Sequence, residues 1–174
     1  MRQIVLPILL LFALSTSAYA QFFLGGSFDS YHYPSGVVEF KYRSFSPSLG
    51  FQYERWSVGV DVSYQKAAGR YHNFTYDETK AFTVQPFVRY NIIEKNRFAF
   101  FTDAFFSYTR YKLANHHFFG LSPGIQYDLT QRWRVEVDFG TIGYCDSFFY
   151  GYEGLICSFN ACATAIFLYY RFTK

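Results

Sequence analysis

The sequence predicts an all-β protein: an eight-stranded antiparallel up-and-down transmembrane β-barrel at residues 21–174, preceded by a cleaved signal peptide at residues 1–20. Three observations predict it. The first residues read as an export signal, the remainder alternates apolar and polar residues with a period of two, and aromatic residues crowd one end of each hairpin.

The export signal has a basic start at Met1-Arg2-Gln3, an apolar run from Ile4 to Leu14, and Ala18-Tyr19-Ala20 before Gln21. That run falls short of the roughly 20 residues a membrane-crossing helix needs. No later segment is long and apolar enough either, although hydrophobic residues make up 51% of the chain and aromatic residues 24%. Such a composition is too aromatic for a disordered chain. A single soluble domain could not bury 23 Phe and 17 Tyr, so much of this surface is expected to face lipid. The net charge of +3 is dispersed without a basic run, which argues against a nucleic-acid partner.

The period of two is clearest where Trp56, Val58, Val60, Val62 and Tyr64 alternate with Ser57, Gly59, Asp61, Ser63 and Gln65. The preceding run sets Phe45, Pro47, Leu49, Phe51 and Tyr53 against serines, Gly50 and Gln52. Only Glu54-Arg55 separates the two, so they form a tight hairpin. Further strands follow at Phe82 to Tyr90, Arg97 to Tyr111, Leu121 to Tyr127 and Trp133 to Phe139, with turns at Glu94–Asn96 and Asp128–Arg132. Phe22 to Tyr31 at the start and Thr164 to Phe172 at the end bring the number to eight, an even count as single-chain bacterial barrels require. The segment Ser46 to Trp56 is echoed by Ser122 to Trp133, so the repeating unit is a hairpin.

Periodicity alone does not separate a membrane barrel from a soluble lipocalin-type barrel, which puts its apolar face inside. The placement of aromatics does. Tyr53, Trp56, Tyr90, Tyr127, Trp133, Tyr170 and Phe172 lie beside the short turns or the C-terminus, as a membrane-interface girdle would. A secreted β-sandwich would leave this one-sided girdle unexplained. The remaining connections, Tyr33–Val38, Lys66–Lys80, Leu113–His116 and Cys145–Asn160, are longer or more polar and are expected at the opposite, extracellular rim.

With the apolar face outward, Asp61, Arg89, Asp103, Arg134, Glu136, Asp138 and Arg171 fall in the lumen. Eight strands enclose room only for side chains or one small ligand. Mixed charges there can neutralise one another, so a plug of polar and charged side chains is expected in preference to a pore. Pro47, Pro86 and Pro123 each remove a ladder hydrogen bond and predict a bulge or weakened ladder at their positions.

Gln85-Pro86-Phe87-Val88-Arg89-Tyr90, Leu121 to Tyr127, Trp133 to Tyr144 and the closing Tyr169-Tyr170-Arg171-Phe172 give the chain its family character. In their order and spacing it resembles the outer membrane protein β-barrel domain family common in Bacteroidota. The resemblance covers most of the mature chain, with the loops matching poorly. It implies an integral, mostly monomeric outer-membrane barrel without an assigned activity, in contact with outer-membrane lipid and lipopolysaccharide and inserted by the barrel-assembly machinery. Such barrels end on an aromatic residue read by that machinery, whereas here Thr173-Lys174 follow Phe172.

No catalytic, cofactor or metal site is assigned. His32, His72, His116 and His117 fall near the outer rim with Asp77 and Glu78, but their spacing matches no metal-ligand motif. A lipid A-modifying enzyme of the acylase or deacylase type would draw on His116 or His117 with Ser30 or Ser107, though nothing in the spacing singles out a nucleophile. Cys145, Cys157 and Cys162 bracket the last loop of an exported chain, so a Cys145–Cys157 disulfide is expected, with Cys145–Cys162 as the alternative. Tyrosines such as Tyr33, Tyr76 and Tyr152 enrich the outer rim and could contact an extracellular ligand. The function expected is therefore a structural or surface-recognition role without enzymatic activity. The alternatives are the lipid-modifying enzyme and a narrow solute channel.

Overall fold

Alternation of apolar and polar residues gives each run one face for a nonaqueous surround and one for an enclosed interior, and the chain answers it with strands throughout. The computed structural model describes residues 21–34, 38–71, 74–111, 115–147, 152–158 and 165–172. The expected signal peptide at residues 1–20 and the terminal Thr173-Lys174 lie outside the described residues.

The described strands are β1 (Gln21–Pro34), β2 (Val38–Tyr53), β3 (Trp56–Tyr71), β4 (Phe74–Lys95), β5 (Phe98–Tyr111), β6 (Asn115–Asp128), β7 (Trp133–Asp138), β8 (Thr141–Ser147), β9 (Tyr152–Ser158) and β10 (Ala165–Phe172). Each of β1 to β6 pairs antiparallel with the next. β7 and β8 both pair with β6 and are two halves of one stave. β9 pairs with β8 and β10 with β7, forming the last stave, and β10 closes on β1 from Phe22↔Phe172 to Gly26↔Leu168. The result is a closed barrel of eight antiparallel staves.

One rim is made by tight turns. Tyr53 pairs with Trp56 across Glu54-Arg55, and Glu54 takes a left-handed φ of 49°. Lys95 pairs with Phe98 across Asn96-Arg97, with Asn96 at 56°, so Glu94 and Lys95, expected in the turn, belong to β4, and Arg97, expected to open the next strand, belongs to the turn. Asparagine tolerates this conformation better than most residues. In the third turn the Thr130 hydroxyl accepts hydrogen bonds from the backbone N–H groups of Arg132 (3.1 Å) and Trp133 (3.0 Å).

At the opposite rim the strands run further than the sequence reading expected. Most of the segment Lys66–Lys80, read as a loop, is strand: β3 and β4 stay paired to Tyr71↔Phe74, with one register shift between Ala67 and Gly69. Likewise β9 occupies part of the expected Cys145–Asn160 loop. Polar residues signalled loop, yet a hairpin surrounded by water needs no apolar face to keep its ladder, which already satisfies the backbone.

Each proline interrupts the ladder on one side only. The β2–β3 pairing skips from Phe45↔Tyr64 to Ser48↔Asp61 past Pro47, and β4–β5 skips from Val84↔Tyr108 to Phe87↔Phe105 past Pro86. Pro123 lies where β6 leaves β8 for β7. On their other sides Pro47, Pro86 and Pro123 stay in register with Gly26, Val60 and Thr102. Losing one N–H weakens one ladder, and a closed barrel tolerates the loss. Opposite Pro123, Gly140 adopts a φ of 144° and inserts an extra residue, so that Asp138 and Thr141 both face the interior.

The interior differs from the expected polar filling in one respect: it also holds an aromatic core. Phe23, Phe87, Phe105 and Tyr169 are buried together, with Phe118 and Phe167 packed against them. Four inward rings share one arrangement. Phe23 pairs in register with Gly50, Phe87 with Gly59, Phe101 with Gly124 and Tyr169 with Gly25. A Cβ on Gly59 would stand 2.6 Å from the Phe87 ring, and the other three glycines are as tightly covered. Each of these four rings thus lies over a bare backbone on one side, where a Cβ would compete with it for the confined lumen.

Phe87→Ala is expected to destabilise the barrel by about 3–5 kcal/mol, and Gly59→Val to lower the unfolding midpoint through its clash with the same ring. In Gly59→Val/Phe87→Ala the added methyls occupy the vacated space, so the combined loss should be smaller than the sum. Urea unfolding in detergent, followed by tryptophan fluorescence, measures all three; additive losses would contradict the pairing.

Candidate functional site

The most organised polar cluster lies inside the barrel, where the inward positions of β4, β5 and β7 converge. Arg89 of β4 and Asp103 of β5 are register partners. The guanidinium binds the carboxylate in a fork, Nε to Oδ1 at 2.7 Å and a terminal nitrogen to Oδ2 at 2.7 Å. Its other terminal nitrogen contacts Glu136 across the lumen. Phe101 lies against the guanidinium, 3.6 Å from ring centroid to Cζ, with Phe87 at 5.6 Å. Arg89, Asp103 and Glu136 are all buried. Bidentate, charge-assisted bonds of this kind are the strong ones, and burial removes the competing water.

A second ion-pair group lies below it toward the tight turns. Arg134 donates from Nε to Asp128 Oδ1 at 2.8 Å and from a terminal nitrogen to Gln52 Oε1 at 3.0 Å, and that nitrogen stands 3.8 Å from Glu136. Arg171 contacts the other oxygen of Asp128 at 3.0 Å. Glu136 therefore bridges the two groups. Asp61 and Asp138 line the same interior but join no ion pair among the described residues, and each has one sealed oxygen without a hydrogen-bond partner. Above Arg89 the filling is hydroxylic, with Thr83 and Thr109 bonded at 2.8 Å and Ser46 donating to Ser63 at 3.0 Å.

Of the seven charged residues assigned to the lumen, the structure joins Arg89, Asp103, Glu136, Arg134 and Arg171 into one chain of ion pairs and leaves Asp61 and Asp138 beside it. Asp128 was missed because it was read as part of a turn. Its phase with Ser122, Gly124 and Gln126 was the available signal. Phe101 and the inward glycines were missed because the sequence reading looked for polarity inside.

At the outer end His116 faces inward and shares a 2.7 Å hydrogen bond with Cys145 Sγ, in which the donor depends on the imidazole tautomer. His117 faces the other way, against Tyr108 and Phe106 at centroid distances of 5.2 and 6.1 Å. Neighbours on one strand, the two histidines are thus separated by the barrel wall. The side chains of His32, Asp77 and Glu78, and the whole of His72, fall outside the described residues. Among the described residues no three His, Cys, Asp or Glu side chains gather as metal ligands.

The expected Cys145–Cys157 disulfide is not formed, and both thiols are free. Cys145 is in register with Gly154 and Cys157 with Ile142. Cys145 is buried and faces inward, whereas Cys157 is exposed on the outward face beside Leu155. A disulfide needs its two Cβ atoms close and turned toward each other, which opposite faces of one wall forbid. The alternative partner Cys162 lies outside the described residues.

The seven residues assigned to the girdle all lie at the tight-turn rim, where six of their rings pack with neighbours. Trp56 meets Tyr90 at 4.6 Å and Phe98 meets Tyr127 at 4.5 Å. Trp133, Tyr170, Phe172, Phe22 and Phe51 follow one another at 5.0 to 5.3 Å. Tyr53 faces Trp56 in register.

Removing Arg89 while keeping its partners leaves two carboxylates buried without a counter-charge. Arg89→Met should therefore destabilise by about 3–5 kcal/mol, and Arg89→Met/Asp103→Leu/Glu136→Gln should recover most of that loss. Chemical unfolding of the two variants checks this, and equal losses would contradict the assigned pairing. In the folded barrel Cys157 should react with a maleimide while Cys145 is protected; protection of both, or an adduct at Cys145, would contradict the opposed faces.

No protein-family model matches the chain, and no curated protein matches it. Among solved structures it is similar to OmpT, an outer membrane protein of Vibrio cholerae, in its in-vitro folded form at 11% identity and a TM-score of 0.34, covering 90% of this chain and 53% of that one. The outer-membrane expressed form matches at 11% identity and 0.35, with 90% and 53% covered. Its loop L8 deletion mutant matches at 12% and 0.33, with 90% and 51% covered. The chain spans about half the length of these proteins. Scores this low add nothing to the strand pairing of the chain itself, which defines the barrel.

Proposed function

We propose that the chain is an integral, monomeric outer-membrane barrel of the Bacteroidota β-barrel domain type, with a plugged lumen and a structural or surface-recognition role. The observation that carries this reading is the inversion of polarity across the wall. Phe28, Phe45, Leu49, Phe82, Phe106 and Leu168 are exposed on the outward face, while Arg89, Asp103, Arg134 and Glu136 are buried inside. Water would not tolerate so much contiguous apolar surface. Hydrocarbon would, and the closed ladder leaves no stave edge unsatisfied within it.

The plug follows from the same interior. Arg89 and its two carboxylates bridge staves across the lumen, with aromatic rings packed beside them, and this supports structure in preference to conduction. Lipid and lipopolysaccharide would contact the outward face, the assembly machinery would read the C-terminal strand ending at Phe172, and an extracellular ligand would meet the long hairpins opposite the girdle.

Expressed with its own leader, the protein should fractionate with the outer membrane and migrate faster in unboiled than in boiled gels. Planar bilayers should show no conductance steps, and lipid A mass spectra should be the same in wild-type, deletion and His116→Ala/His117→Ala strains. Discrete steps would favour the narrow channel, and a lipid A species lost with the histidines would favour the enzyme.

A further inference from the structure

The lumen contains more acid than its arginines answer. Arg89, Arg134 and Arg171 form ion pairs with Asp103, Glu136 and Asp128, three cations against three anions. Asp61 on β3 and Asp138 on β7 are the remainder. Each keeps an oxygen that is sealed from solvent and has no hydrogen-bond partner among the described residues. A buried carboxylate without a counter-charge is strongly unfavourable, so it either takes up a proton or is met by a cation from outside the chain.

Both acids line one cavity of about 250 Å³, and its walls decide which kind of cation fits. Phe105, Phe118, Phe167 and Tyr169 form the apolar side. Aromatic faces attract ammonium groups through the ring quadrupole, and carboxylates supply charge and hydrogen-bond acceptors. Calcium would ask for six or more oxygen ligands, whereas the described acids gather in no metal-binding group of three. Arg89 lines the same cavity, but its hydrogen bonds and ion pairs go to Asp103 and Glu136, and among the described residues it forms no ion pair with Asp61 or Asp138.

We propose that this cavity is a binding site for a small organic cation of the primary ammonium or diammonium class, held by Asp61 and Asp138 against the aromatic wall. Two unanswered carboxylates match a diammonium compound in charge, and the cavity suits a ligand of a few heavy atoms. The proposal goes beyond a structural or recognition role and does not depend on it, since the cavity belongs to the barrel interior wherever the barrel resides.

The test is calorimetric titration of the full mature barrel, folded in nonionic detergent and an amine-free buffer at neutral pH, with 1,4-diaminobutane. Calcium and uncharged 1,4-butanediol serve as comparison probes. Saturable binding of the diamine is expected, weakened at least tenfold by Asp61→Asn or Asp138→Asn and unaffected by Glu94→Gln at the rim. Phe118→Leu keeps both acids and should weaken binding severalfold, and unboiled gel mobility confirms that each variant is folded. The proposal is overturned if wild-type protein shows no saturable diamine binding, if butanediol binds equally well, if only calcium binds, or if both asparagine variants bind as wild type does.

Discussion

The fork between Arg89 and Asp103, extended across the lumen to Glu136, is the interaction on which the rest of the interior depends. It joins β4, β5 and β7, staves that include both neighbours and opposite sides of the barrel. Because Glu136 also approaches Arg134, and Arg134 shares Asp128 with Arg171, the link continues to β6 and β10. A hydrophobic core would be no drive to closure if lipid surrounds the wall, since hydrocarbon outside is as apolar as any core within. Directional, charge-assisted bonds between staves can supply what the hydrophobic effect cannot.

Space is the companion constraint. The lumen of an eight-stave barrel has room for little beyond side chains, and four of the inward rings are accommodated by a glycine in register. Gly25, Gly50, Gly59 and Gly124 each sit in register beneath a ring. The rings then do two things: they exclude water around the ion pairs, which strengthens them, and they place an aromatic face against the Arg89 guanidinium. The cavity near Asp61 and Asp138 lies where this filling is incomplete, close to the Gly140 bulge that shifts β8 out of phase with β7.

Much of the architecture could be read from the sequence because the period of two is strict where a stave has two different surrounds. Trp56 to Gln65 shows it without a fault, and the ladder lapses at Pro47, Pro86 and Pro123 follow from a missing N–H. Legibility fell where that asymmetry ends. Within Lys66 to Lys80 the sequence loses its strict alternation and polar residues crowd it, so strand looks like loop. The interior chemistry was half legible: charges announce themselves, but inward phenylalanines such as Phe87 and Phe101 look like outward ones until the glycine opposite is noticed. Cys145 and Cys157 were misjudged because spacing along the chain does not reveal the β8–β9 register, which sets Cys145 against Gly154 and leaves Cys157, three residues further on, on the opposite face.

The central claim is that the apolar face looks outward into lipid while the polar face is locked inside. Spin labels placed one at a time on cysteines along β5, at Ala104, Phe106 and Tyr108 and at Phe105, Ser107 and Thr109, in a background lacking the native cysteines and reconstituted in bilayers, test it most directly. The account predicts a period of two, with the even positions readily relaxed by oxygen and shielded from a water-soluble nickel chelate, and the odd positions immobile and reached by neither. Outward positions relaxed chiefly by the nickel chelate, or the opposite phase, would contradict it.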